Sequence, residues 1–254
     1  MPIRTIRVTR YVSPLREGGS LPALVEADDD GMYVVKFREA GQGSKSLIAE
    51  LVCGELGRAL GLRVPEVVFA DVHPDLARTE PDPEISALIR RSAGLNLAVD
   101  YLPGSIMFDP IVVKPDTELA SRIVWFDAFI SNVDRTVRNP NMLMWHKQLW
   151  LIDHGAALYF HHATDWEADA HRARDPFALI KNHILSHRAT SLAAIDGVMA
   201  AALAGTRIAD IISLIPDAWL PPDRAVETRE AYRQYLEQRL ETPRPFVEEA
   251  VRGR

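Results

Sequence analysis

The sequence predicts an α+β protein of two lobes, a small β-rich N-terminal lobe over residues 1–102 and a mostly helical C-terminal lobe over residues 103–254. Three observations carry that expectation. A chain of 254 residues can bury a sizeable core, as one large domain or as two lobes around a cleft. Short strand-like segments separated by glycine and aspartate turns dominate before residue 102. Beyond about residue 116, apolar residues recur mainly at helical spacing.

Residues 4–12 and 22–27 read as strands, with Ile6, Val8, Tyr11 and Val12 in the first and Leu24 and Val25 in the second. Between them Gly18-Gly19-Ser20 makes a turn free to bring backbone close to a ligand. Asp28 to Gly31 form the next turn, and Met32 to Phe37 a strand that carries Lys36. From Ser44 the period changes: Leu47, Ile48, Leu51, Val52, Leu56 and Leu60 make one helical stripe, with Gly61 placed to end it. Arg63 to Val72 reads as a strand, residues 73–83 as a polar connection and Glu84 to Arg91 as a short helix. Residues 94–102 are expected to cross between the lobes as an extended segment.

Asp116 or Thr117 can cap a helix bearing Ile123, Val124, Phe126, Phe129 and Ile130. A hairpin of Asn141–Trp145 and Gln148–Ile152 turns at His146-Lys147. The stretch from about 176 to 242, FALIKNHIL included, reads as mostly helical, and the last dozen residues, with Pro243 and Pro245, are expected to fray.

Composition narrows the function classes. A charged fraction of 25% and a hydrophobic fraction of 47% are those of an ordinary globular protein. The net charge of −6 argues against sequence-independent nucleic-acid binding, which needs clustered Lys and Arg. The single cysteine, Cys53, lies in an apolar helical pattern and reads as a buried structural thiol. The N-terminal MPIRTIRVTRYV lacks an apolar signal core and no apolar run is long enough to span a bilayer, so a cytoplasmic location with no membrane partner is the expectation. Histidines 146, 154, 161, 162 and 171 fit no familiar zinc spacing and read as solvated or hydrogen-bonded.

The chemistry concentrates in residues 123–155, where an apolar helix runs into a polar loop with Asp134 and Asn139, and a hairpin then delivers Asp153. A loop carboxylate can orient an attacking hydroxyl, while an amide and a second carboxylate supply the hard oxygen ligands that Mg²⁺ prefers. The step from Asp134 to Asn139 equals the Asp-to-Asn step of the protein-kinase catalytic loop. Upstream, Gly18, Gly19 and Ser20, then Lys36 on a strand, then Glu50 in the next helix, supply what nucleotide phosphates need: backbone N–H groups, a lysine charge and a carboxylate to hold it. Each has a plainer reading alone, a hairpin turn or a solvated lysine. Their joint occurrence in this order favours a nucleotide site. Arg135 and Arg138 flank the loop and could neutralise charge on a transferred phosphoryl group or pair with nearby acids. Asp127, one helical turn before Ser131, reads as a brace for the loop.

The runs G-G-S-x-P, Y-V-V-K-F, A-E-L-V-C-G-E-L-G-R-A-L-G-L-R-V-P-E, N-V-D-R-T-V-R-N-P-N-M and L-I-D-H-G, spanning about residues 17–160, resemble the HipA-like kinase family, especially its short members. The resemblance implies a bilobal protein-kinase-like fold and transfer of phosphate from ATP with Mg²⁺ to a serine or threonine. By position it implies Lys36 as the residue holding the α- and β-phosphates, Glu50 as its helix partner with Glu55 competing, and Asp134 as catalytic base or hydroxyl-orienting residue. It implies Asn139 and Asp153 as metal ligands, Gly18, Gly19 and Ser20 as phosphate loop, and Leu95 to Tyr101, Leu97 included, as hinge backbone for the adenine. Asn132 stands where protein kinases place their catalytic-loop histidine, and Asp153-His154-Gly155 replaces Asp-Phe-Gly. The acceptor, a protein or a small molecule, is left open, as is the alternative of a nucleotide-binding pseudokinase serving as an interaction module.

Overall fold

The computed structural model describes residues 2–15 and 21–253. Gly18, Gly19 and Ser20 lie outside the described residues. Five strands, β1 (Thr5–Pro14), β2 (Ala23–Ala27), β3 (Met32–Lys36), β4 (Val67–Val72) and β5 (Gly94–Asp100), close a small barrel in the order β1-β2-β3-β5-β4. Parallel pairing of β1 with β4, Thr5 opposite Phe69, completes the ring. Period-two alternation explains its filling: Ile6 and Val8 of β1 and Ala23, Val25 and Ala27 of β2 point inward. Helix α2 (Pro83–Arg91), capped by the Asp82 carboxylate on the Glu84 N–H, adds Ile85, Leu88 and Ile89 to this core.

Residues 94–102 were expected as a crossing segment, but β5 is an inner strand of the barrel, paired with β3 on one side and β4 on the other. Asn96, Leu97, Ala98 and Val99 are all buried, so the run avoids solvent on both faces and cannot serve as an exposed linker. The backbone of Leu97 is committed to the ladders opposite Lys36 and Phe69. It therefore has none to offer an adenine, contrary to the expectation for this residue.

Helix α1 (Ser44–Ala59) is buried continuously from Leu47 to Gly54 because it is wedged between the barrel and the helical lobe. A Cβ at Gly57 would lie 3.0 Å from Val64 Cγ2 and 3.2 Å from Phe126 Cζ, so glycine lets the helix approach both sides closely. Gly61, at φ 71°, ends the turn in the left-handed region, as expected.

The larger apolar core joins α1 to α3 (Thr117–Phe129), α4 (Leu192–Ala202), α5 (Arg207–Ile212), α6 (Ala225–Leu240) and α7 (Pro245–Arg252). Asp116 caps α3 through the Leu119 N–H. The hairpin of β7 (Met142–Trp145) and β8 (Gln148–Leu151) turns at His146 and Lys147, both at positive φ, and β6 (Ile106–Met107) pairs with β7. Within FALIKNHIL, expected to be helical, only Ala178–Asn182 is so, as a short 3₁₀ helix. Residues 243–253, expected to fray, are held in place: Pro245 opens α7, and Phe246 is fully buried against Trp125 and Phe129.

Candidate active site

The end of β3 brings Lys36 to the cleft between barrel and helices, with 8% of its surface exposed. Its ammonium donates to Glu50 Oε2 at 2.6 Å and to Asp153 Oδ1 at 2.6 Å. Burial alone would push the Lys36 pKa down. The charges of Glu50 and Asp153 outweigh it and hold the group above its ordinary value. Glu50 is likewise buried, which would raise its pKa, but Lys36 and the His154 N–H, 2.7 Å from Oε2, bring it down to about 2. Glu55 faces away and pairs with Arg58 at 3.3 Å.

Asp153 follows β8 with φ 54°, a left-handed conformation that a non-glycine residue adopts under constraint. Its Oδ2 has no hydrogen-bond partner among the described residues, and nearly half of its side chain is exposed to the cleft. Opposite, Asp134 Oδ2 accepts from Asn139 Nδ2 at 2.7 Å and from Asn141 Nδ2 at 3.1 Å. Lys36, Asp134, Asn139 and Asp153 line one cavity of about 310 Å³, together with Gln42, Ser46, Tyr159 and His162. Tyr101 is outside this lining, and its N–H donates to the Met32 carbonyl at 3.0 Å.

Behind this wall stands a buried network. Asp127, fully buried in α3, accepts from Asn132 Nδ2 at 2.9 Å, from Arg135 Nε at 2.6 Å and from His183 Nε2 at 2.9 Å. Burial pushes its pKa up, yet Arg135 and His183 hold it below the usual carboxylate range. Asn132 Oδ1 in turn accepts from the Asp134 N–H at 3.1 Å, so the loop is fixed directly to this anchor. Arg135 directs Nε to Asp127 and Nη1 to the Asn141 and Ile152 carbonyls, and it is 1% exposed. It cannot reach a phosphoryl group, which removes one of its two sequence readings. Arg138 is exposed on the loop.

Asn141 and His183 were not picked out from the sequence. Asn141 carries a local signal, the Asn-Pro-Asn run, since asparagine tolerates the left-handed φ of 46° found there. His183 carries none, because a bridge between Thr136 and His183 brings it to the loop from far along the chain. His154 packs edge-on against Phe126 at 5.8 Å; neither ring nitrogen has a hydrogen-bond partner among the described residues, and Nδ1 lies 3.8 Å from the Glu50 carboxylate.

Among the described residues, no group of three His, Cys, Asp or Glu side chains gathers around a point that could hold a metal ion. Asn139 Oδ1 and Asp153 Oδ2 have no hydrogen-bond partner among the described residues and belong to residues of one cavity wall, hard oxygens of the type a divalent cation takes.

A β-barrel lobe over a helical lobe, with a lysine–glutamate pair lining the same cleft as an Asp, Asn, Asp set and bonded to its last member, defines the protein-kinase-like fold. The chain belongs to the HipA-like kinase family, whose model matches residues 8–244. Among solved structures it resembles the Helicobacter pylori proinflammatory kinase CtkA, with 12% identity, 99% of this chain and 98% of that chain covered and a TM-score of 0.59. It also resembles the Golgi casein kinase, with 14% identity, 99% and 74% coverage and a TM-score of 0.51. The same kinase with Mn/ADP bound matches at 14% identity, 99% and 73% coverage and a TM-score of 0.51. At such identities the likeness is one of fold. No curated protein sequence matches the chain. No helix among the described residues is long and apolar enough to cross a membrane.

Proposed function

We propose that this kinase-family protein is an ATP- and Mg²⁺-dependent phosphotransferase acting on serine or threonine of a protein, with residues 1–102 and 103–254 as its two lobes. One observation carries the reading: Lys36, tied to both Glu50 and Asp153, shares a cleft wall with Asp134 and Asn139. In this assignment Glu50 fixes Lys36 so that its ammonium meets the α- and β-phosphates. Asp134, with Oδ2 held by Asn139 and Asn141, keeps Oδ1 for the acceptor hydroxyl and sets its line of attack. Asn139 Oδ1 and Asp153 Oδ2 would hold Mg²⁺, which would supply charge neutralisation to the phosphates.

The rest of the cleft wall supports a peptide acceptor over a polycationic small molecule. Gln42, Ser46 and Tyr159 line it with neutral hydrogen-bonding groups suited to main-chain amides and a hydroxyl, beside the apolar Val133. Mass spectrometry of the purified chain and an added protein acceptor after incubation with Mg-ATP should find phosphate on serine or threonine. Asp134→Asn and Asp153→Asn should each lower transfer by about 100-fold or more, the scale of losing a preorganised transition-state contact. Wild-type turnover in either variant refutes the assignment. Nucleotide binding without transfer by the wild type supports the interaction-module alternative.

A further inference from the structure

We propose that Tyr232, His161 and His162 form a hydrogen-bond relay that locks His162 as its Nδ1–H tautomer and presents that N–H to a carbonyl oxygen of the acceptor. The last step rests on the kinase reading; the relay itself rests on geometry. His161 is fully buried, with Nδ1 2.9 Å from the Tyr232 hydroxyl and Nε2 3.0 Å from His162 Nε2. Tyr232 is 1% exposed, and among the described residues its hydroxyl has only His161 as a hydrogen-bond partner. If His161 donated to that oxygen, the buried O–H would have no acceptor, so the hydroxyl donates to Nδ1. A neutral imidazole has one N–H, so His161 carries its hydrogen on Nε2 and donates it to His162. His162 Nε2 is then an acceptor, and the remaining hydrogen sits on Nδ1.

Burial favours the neutral ring at both positions, strongly for His161, whose pKa falls well below its ordinary value. The segment is also firmly placed. The Lys45 ammonium donates to the His161 carbonyl, Phe160 stacks on Tyr235 at 3.5 Å, and Trp166 lies against Tyr232 at 4.5 Å. His162 Nδ1 has no partner among the described residues, and His162 lines the cleft that holds Asp134. Lys36, Asn139 and Asp153 are assigned to the nucleotide side, so the wall containing Gln42, Tyr159 and His162 is left to the acceptor. A neutral N–H there needs an acceptor, and the main-chain carbonyl of a peptide supplies one, which makes His162 a specificity-determining residue.

Two measurements on the full chain test this. Imidazole ¹⁵N shifts at pH 7 should show His161 as the Nε2–H tautomer and His162 as the Nδ1–H tautomer, with Tyr232→Phe releasing His162 to a mixture. An Nε2–H or doubly protonated His162 in the wild type overturns the relay. With Mg-ATP and dephosphorylated casein as acceptor, His162→Leu should raise the KM for casein about tenfold, the scale of one lost hydrogen bond, and leave the KM for ATP within about twofold. His162→Asn, whose amide N–H can stand in for Nδ1–H, should recover most of the loss. Equal defects in both variants, or KM values for casein and ATP that rise together, overturn the acceptor role. Failure of the wild type to phosphorylate casein sinks the acceptor role; failure to transfer phosphate from Mg-ATP to casein and to the chain itself sinks the kinase reading with it, whereas a wrong tautomer sinks the relay alone.

Discussion

Asp127 and Asp134 flank the same short turn, and their surroundings differ in every respect. Asp127 is sealed in α3 with both oxygens bonded, to Asn132, Arg135 and His183. Asp134 is half-buried, with one oxygen held by two asparagines and the other left to the cleft. The rear carboxylate is saturated and the front one is not. A reacting group must keep an unfilled bond for its substrate, so its position has to be enforced from elsewhere. Asn132 is the link, since it donates to Asp127 and accepts from the Asp134 backbone.

The contrast breaks most sharply under mutation of the rear group. Asp127→Ala leaves the guanidinium of Arg135 buried without a counter-charge and should cost about 3–5 kcal/mol of unfolding free energy in a urea titration. Asp134→Asn should cost about 1 kcal/mol or less, the scale of one hydrogen bond, while removing transfer. Comparable stability losses in the two variants would mean that the front carboxylate is structural as well.

A smaller effect separates Glu50 from both. Its folded pKa of about 2 lies below the ordinary 4.5, so its contribution is fully present above pH 4.5 and is lost as pH falls from 4.5 through 2. At 1.36 kcal/mol per unit, that contribution is at most roughly 3 kcal/mol. Glu50→Gln should therefore flatten the acid limb of the stability curve, with the variant and wild-type curves converging near pH 2. An unchanged slope between pH 4.5 and 2 would show that Lys36 does not hold Glu50 ionised in the folded protein.

Local chemistry made the front of this site legible and hid its back. Turn residues, the period change at Ser44 and the Asp134, Asn139, Asp153 spacing all act within a few residues of themselves. Strands and loop were therefore readable, and the helix cap at Asp116 equally so. Residues 94–102 were misread because a strand buried on both faces shows no alternation to distinguish it from an apolar connector. Phe246 gave no sign that it would dock on Trp125, since that contact exists only once α7 folds back on α3. His183 reaches Asp127 by the same kind of long-range closure. The Gly18 to Ser20 reading falls outside the described residues, so its part in phosphate binding stands on the sequence alone.

The smallest expected effect sharpens the choice of lysine partner. Glu50 and Glu55 lie on the same helix and both suit a lysine by type. α1 turns Glu50 into the cleft and Glu55 toward Arg58, a pair at 3.3 Å near the surface. Exposed pairs of this kind contribute about 0–1 kcal/mol. Glu55→Gln should accordingly change unfolding free energy by about 0.5 kcal/mol or less and leave both nucleotide affinity and phosphate transfer at wild-type levels. A loss of nucleotide affinity in Glu55→Gln, matched by retention in Glu50→Gln, would reverse the assignment. It would also require α1 to rotate about its axis when phosphates bind, because the face now carrying Glu50 would have to leave Lys36.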